Sequence, residues 1–153
     1  MKLIEHIPLI KQMEITNRLG FFNSLNLAER QILLESFSKL YLVQQKRFVF
    51  KQFDNDKNLY IILSGSLTMY RQNDMVELAT VLPGEFVGEG GFINQSSRSI
   101  NARALEDSIL LAITPQSLTR LPAVIREKMK DKIILGMSER IEQLSRLLEK
   151  KQS

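Results

Sequence analysis

"LPGEFVGEGGFINQSSRSINARA", residues 82–104, decides how the chain is read. Four of the seven glycines, Gly84, Gly88, Gly90 and Gly91, crowd around Glu89, and a polar stretch then delivers Arg98 and Ser99. Glycine allows tight turns and lets backbone approach a ligand with no Cβ in the way. A planar guanidinium gives charge-assisted hydrogen bonds to anionic oxygens. A dinucleotide fingerprint does not fit, because Gly88-Glu89-Gly90 would need a third glycine or alanine where Ile93 stands, and no βαβ pattern surrounds it.

Outward from this stretch, residues 40–113 are a series of short apolar runs separated by turn compositions. The runs are "YLVQ", "RFVF", "LYIIL", "SLTMY", "VELATVL", "EFVG", "SINARA" and "SILLAI". Between them stand "DNDKN", "SGS" and "RQND", in which Gly tolerates positive φ and Asn or Asp bonds its own backbone. Many short strands at this spacing predict a closed or double-sheet β structure.

Helical patterns flank the β region. Residues 2–19 read as a helix, with Pro8 marking a kink or a late start. Residues 27–38 read as a second, with Asn26 placed to cap it and Glu29 three positions on, the spacing of a capping box. Thr114-Pro115 is a helix-start signal, and Pro122 separates a short helix from a long one beginning near Ala123. In the long helix Ile134, Met137, Ile141, Leu144 and Leu148 recur at coiled-coil spacing, and Glu142 with Arg146 makes an i, i+4 pair. This seam must be covered, by the chain's own β domain or by the same helix of a second copy. Gly136 inside it costs up to about 1 kcal/mol relative to Ala and permits close approach or bending.

Composition narrows the chemistry. The chain has 153 residues, no Cys and one His, which excludes disulfides and thiolate chemistry and argues against a His-based site. No Ser-His-Asp set, Cys nucleophile or metal-spaced carboxylate cluster assembles, so the expectation is a non-enzyme without cofactor or metal. Asp54 and Asp56 in "FDND" lack the remaining ligands of a calcium loop and read as turn residues. No signal-peptide core or membrane-length apolar run is found, which predicts a cytoplasmic protein without membrane insertion. The net charge is +4, and residues 111–153 hold nine Lys or Arg against five Asp or Glu. Such a surplus suits either a solvated helix face or nucleic acid.

"LPGEFVGEGGFINQSSRS" resembles the phosphate-binding cassette of cyclic nucleotide-binding domains, the family of bacterial catabolite activator proteins and of kinase regulatory subunits. "LGFFNSLNLAERQILLESF" is similar to that family's leading helical segment, and "DNDKNLYIILSGSLTMY" to its aspartate-containing turn, strand and glycine turn. Gly90 departs from the usual larger aliphatic residue, Ser97 from a small residue or proline, and Arg47 and Phe53 from glycines.

The resemblance implies a mainly β fold with flanking helices (α+β), a jelly-roll-like β-roll or double-stranded β-helix with N-terminal helices and a long C-terminal helix. The expected organisation is an N-terminal helical extension over 1–18, a nucleotide-binding β-roll over 19–118, and lid or dimerisation helices over 119–153. It implies a cAMP or cGMP site built from Gly88, Glu89, Gly90, Gly91, Phe92, Arg98 and Ser99. In that site Arg98 and Ser99 would hold the cyclic phosphate, aided by backbone N–H groups near Gly91 and Phe92. Glu89 would accept the ribose 2′-OH, and Arg140 or Ser138 would lie near the purine. A homodimer through the final helix and a protein partner are expected, with no direct nucleic-acid binding, since Ser153 follows that helix with no room for a helix-turn-helix domain. Two alternatives stand beside this sensor: a scaffold of the same fold that binds no nucleotide, and a transcription-associated regulator without its own DNA-binding domain.

Overall fold

The runs "LYIIL" and "SILLAI" are continuously apolar rather than alternating, and their position in the fold explains why. The computed structural model describes residues 1–152. The two runs become β4 (Leu59–Ser64) and β9 (Ser108–Ile113), adjacent strands inside a five-stranded sheet. One face of that sheet, with Leu59, Ile61, Leu63, Leu111 and Ile113, packs under the helices. The other, with Tyr60, Ile62, Leu110 and Ala112, packs against the second sheet. A strand buried on both faces has no polar side to alternate with.

The first sheet runs β1 (Lys2–Ile4), β2 (Lys39–Val43), β9, β4, β7 (Phe86–Val87). The second runs β3 (Phe48–Phe50), β8 (Asn101–Ala104), β5 (Leu67–Tyr70), β6 (Glu77–Val81). Every pairing is antiparallel. Each of the eight runs read from the sequence supplies one of β2 to β9, and the double-sheet roll with flanking helices is the architecture expected.

The helices are α1 (Leu9–Asn17), α2 (Leu27–Ser36), α3 (Glu89–Asn94), α4 (Pro115–Arg120) and α5 (Ala123–Gln152), with a 3-10 turn over Gly20–Phe22. The capping box at α2 forms in both directions: the Glu29 N–H donates to Asn26 Oδ1 and the Asn26 N–H to Glu29 Oε1. Thr114 caps α4 by accepting from the Ser117 N–H, with Pro115 in the first turn.

Residues 2–4 differ from expectation, forming a strand rather than the start of a helix. Pro8 stands at the N-cap of α1 with ψ 146, and a residue before proline is pushed out of the helical region. Further upstream, residues 2–4 pair with β2, Ile4 opposite Leu40.

The apolar residues of α5 divide between two faces. Ile125, Met129 and Ile133 are buried against the helix-side core, with Met137 partly buried beside them. Ile134, Ile141 and Leu148 of the seam are 65%, 62% and 62% exposed. The helix does fold back onto the β-roll, through a stripe that shares Met137 with the seam, and Ile134, Ile141 and Leu148 on the outer side of the seam are uncovered in the single chain.

Candidate functional site

The glycine-rich stretch is held against β4. Gly88 has φ 88 and opens α3. A Cβ there would stand 2.7 Å from Arg98 Nη1 and 2.8 Å from the Asn58 carbonyl oxygen, so both the backbone angle and the packing demand glycine. Arg98 is 3% exposed. Its Nη1 donates to the Gly88 carbonyl at 2.8 Å and its Nη2 to the Asn58 carbonyl at 2.5 Å. The Asp56 carboxylate lies 3.4 Å from Nη2. The guanidinium stacks 4.1 Å from the Phe50 ring centroid, a cation–π contact of the kind Arg favours. Its Nε is buried with no partner among the described residues.

Asp56 is the hub on the other side. Its Oδ1 accepts from the Asn58 N–H, and its Oδ2 from the Tyr60 hydroxyl at 2.5 Å. Burial, and then the hydrogen bond to the Asp56 carboxylate, push the Tyr60 phenol well above its ordinary range. Asp54 accepts from the Lys51 N–H, so both aspartates of "FDND" shape the turn as expected. The meeting of Asp56 with Arg98 was not expected, since nothing local links positions 42 residues apart; the only signal was the aspartate in the turn itself.

Glu89 pairs with Arg140 of α5, not with Arg98. Arg140 Nη1 donates to Glu89 Oε1 at 2.5 Å, and Nη2 donates to the Phe86 carbonyl oxygen. Gly136 lies one turn before Arg140, and the Phe86 ring rests where a side chain at 136 would be. The close approach permitted by that glycine is real, and it seats α5 on the cassette.

Between these two ion pairs lies a cavity of about 280 Å³. Gly88, Glu89, Gly90, Gly91, Arg98 and Ser99 all line it. Apolar Phe50, Met69 and Leu78 form its sheet side, and Met137, Arg140 and Leu144 its α5 side. Six of the seven expected residues thus share one concavity. Phe92 is the exception, with its ring in the helix-side core and its N–H donating to the Gly88 carbonyl within α3. Of the two α5 candidates, Arg140 reaches the cavity, while Ser138 is exposed and outside the lining. A Cβ at Gly90 would meet nothing within 4 Å, so packing does not demand glycine there. Arg140 also borders a second cleft of about 340 Å³, between α5 and the Pro83–Phe86 turn.

Among the described residues no group of three His, Cys, Asp or Glu is placed to hold a metal ion, and no helix is long and apolar enough to cross a membrane. The small polar cradle beside an apolar wall suits an anionic, partly aromatic ligand.

Residues 42–123 match the model of the cyclic nucleotide-binding domain. The chain is 32% identical over 110 residues to the cyclic AMP receptor protein of Thermus thermophilus, covering 67% of this chain and 50% of that protein; it spans about half the length of the curated relative. A cyclic nucleotide-binding domain from Methylobacillus flagellatus superposes with a TM-score of 0.79 at 21% identity, over 93% of this chain and 83% of that one. The Thermus thermophilus catabolite activator protein superposes with a TM-score of 0.71 at 26% identity, over 84% of this chain and 61% of that one. With the family model covering more than half of its length, the chain belongs to the cyclic nucleotide-binding domain family.

Proposed function

We propose that this domain is a regulatory cyclic nucleotide sensor, binding cAMP or cGMP in the cavity between cassette and α5 and coupling occupancy to the position of α5. The observation that carries this reading is the buried Arg98 guanidinium at the cavity wall. A buried cation is costly unless it is both paired and fully hydrogen-bonded; Asp56 pairs with it only at 3.4 Å, and the Arg98 Nε has no hydrogen-bond partner among the described residues. An anionic phosphate in the cavity, held by Arg98, Ser99 and the backbone of Gly90 and Gly91, supplies the missing compensation.

Glu89 links ligand to helix. Its Oε1 is taken by Arg140, and a carboxylate has acceptor capacity on both oxygens. Oε2 can therefore accept a ribose 2′-OH while Oε1 keeps Arg140. Ligand and docked α5 then stabilise each other, as linkage requires when a ligand prefers one of two arrangements. The outer seam of α5, exposed at Ile134, Ile141 and Leu148, is the surface through which this shift reaches a second copy or a protein partner. In this proposal residues 19–118 form the sensing unit and 119–153 the output. Such coupling requires no catalysis by the domain itself.

One observation favours a second reading. The Arg98 terminal nitrogens already donate to the Gly88 and Asn58 carbonyls, as in a scaffold whose cradle is internally satisfied. Titration with cAMP, cGMP and their 2′-deoxy counterparts, followed by amide exchange in α5, separates the two. A sensor binds one of the ribonucleotides, loses about tenfold for the 2′-deoxy form, and shows slower exchange around Arg140. A scaffold shows no change with any of the four.

A further inference from the structure

A second charged surface lies away from the nucleotide cavity, where the edges of the two sheets meet. β1 ends the first sheet and β3 ends the second, each paired on one side only. The cleft of about 520 Å³ between them is lined by Lys2 of β1, by Gln44 beyond β2, and by Arg47, Phe48 and Lys51 around β3. Lys2, Lys46, Arg47 and Lys51 are exposed. From Glu35 to Asp54 the chain has four cations, Lys39, Lys46, Arg47 and Lys51, and no carboxylate between.

These cations are not neutralised within the chain. Among the described residues none of Lys2, Lys46, Arg47 and Lys51 takes part in an ion pair. The ammonium of Lys51 stands over the Phe48 ring at 4.9 Å. The carboxylates that reach this region are engaged with backbone: Asp54 accepts from the Lys51 N–H and Asp107 from the Gln45 N–H.

We infer that this cleft is a docking site for an extended acidic segment of a partner protein, which adds along the free edge of β1 or β3 with its carboxylates on Lys2, Arg47 and Lys51. Two features select this occupant over a nucleic acid or a lipid surface. Free strand edges offer a row of backbone donors and acceptors that only another peptide can complete. The cations flank a cleft between strands rather than spreading over a convex or helical face, so they match alternate side chains of an added strand, which project to the same side every second residue. Phe48, which lines the cleft under the Lys51 ammonium, adds an apolar contact. Its lining shares no residue with the cavity at Arg98, and the inference does not depend on what that cavity binds.

The test uses the full chain and a short peptide alternating glutamate with valine, carrying an uncharged fluorophore, with binding read by fluorescence anisotropy. Its partners in the assay are the glutamine-for-glutamate peptide, a DNA duplex, and phosphatidylserine vesicles. The expected result is binding of the acidic peptide that weakens with salt, as charges screened over about 8 Å at physiological ionic strength must. Arg47→Glu with Lys51→Glu lowers the affinity by about tenfold or more, and Lys2→Glu alone lowers it by less. All three positions are exposed, and circular dichroism checks that the variants fold. Peptide addition also slows amide exchange in Lys2–Ile4 or Phe48–Phe50. The inference is overturned by equal binding of the glutamine peptide, by unchanged affinity in the double variant, or by DNA or vesicles binding through these residues while the acidic peptide does not.

Discussion

Replacing Gly136 by Ala sets two physical effects of known sign against each other. A Cβ at this position stands 2.4 Å from Cε2 and 2.6 Å from Cζ of Phe86, whereas carbon atoms rest at about 3.5–4.0 Å. The ring or the helix must therefore move by about 1 Å. Phe86 has little room, being 3% exposed, in edge contact with Phe21 at 5.8 Å and under the Arg140 guanidinium at 5.4 Å. Overpacking of this kind costs about 1–3 kcal/mol. Against it, Ala in a helix interior gains about 1 kcal/mol over Gly. The expected outcome is a variant no more stable than its parent, and up to about 2 kcal/mol less stable. Urea denaturation measures the sum, and amide exchange locates it: faster exchange is expected in α5 around Arg140, because a shift at 136 carries the next turn with it. Adding Phe86→Leu to Gly136→Ala makes room for the new methyl, so the double variant loses less than the two single changes together. A gain of about 1 kcal/mol in Gly136→Ala, with exchange in α5 unchanged, would show that the glycine does not seat the helix.

Three further predictions concern stability. Phe53 has φ 75 and is 76% exposed, so Phe53→Gly relieves left-handed strain while losing little packing; the expected gain is about 1 kcal/mol in urea unfolding. Tyr60 has a raised folded pKa from burial and its bond to Asp56, so its contribution is fully present below about pH 10, the unfolded value, and is lost as pH rises beyond it. Tyr60→Phe should accordingly reduce the phenolate absorbance that appears together with alkaline unfolding. The Lys128 ammonium first, and then the Asn26 N–H, hold the Glu29 carboxyl below its ordinary value. Its stabilisation is present above about pH 4.3 and is lost as pH falls through the lower folded value. Glu29→Gln should flatten the acid side of the stability profile measured by urea midpoints.

Local chemistry made much of this molecule legible. The "SGS" and "DNDKN" turns, the Asn26 capping box and Pro122 each act over a few residues, and each marks an element boundary that the fold retains. The continuous runs "LYIIL" and "SILLAI" were readable as strands, although only the layered fold shows that both faces are buried. The failure at residues 2–4 has a clear origin. Leu3, Ile4 and Ile7 have a spacing that also suits a helix face, and only pairing with β2, nearly 40 residues away, decides for a strand.

The site divides along the same line. Arg98 and Glu89 stood out by residue type within one glycine-rich stretch. Their partners did not: Asp56 and Asn58 in the turn before β4 and Tyr60 on β4 itself reach Arg98 from about 40 positions back, and Arg140 reaches Glu89 from 51 positions on. Residue spacing along one segment does not encode such meetings. The α5 seam was visible as a pattern, but the sequence could not say which stripe packs inward. Gly136 resolves it, since the one position without a side chain is where the Phe86 ring fits.

Calorimetric titration of the parent chain and of Arg98→Ala and Arg98→Lys with cAMP and cGMP tests whether the Arg98 guanidinium holds a cyclic phosphate. One saturable site per chain is expected in the parent. Affinity falls by about tenfold or more in Arg98→Lys, which keeps the charge but loses the fork, and by more in Arg98→Ala, with circular dichroism verifying the fold of each. Absence of binding heat for both nucleotides in the parent, across temperatures, would contradict that role, as would parent-like affinity in the Arg98 variants.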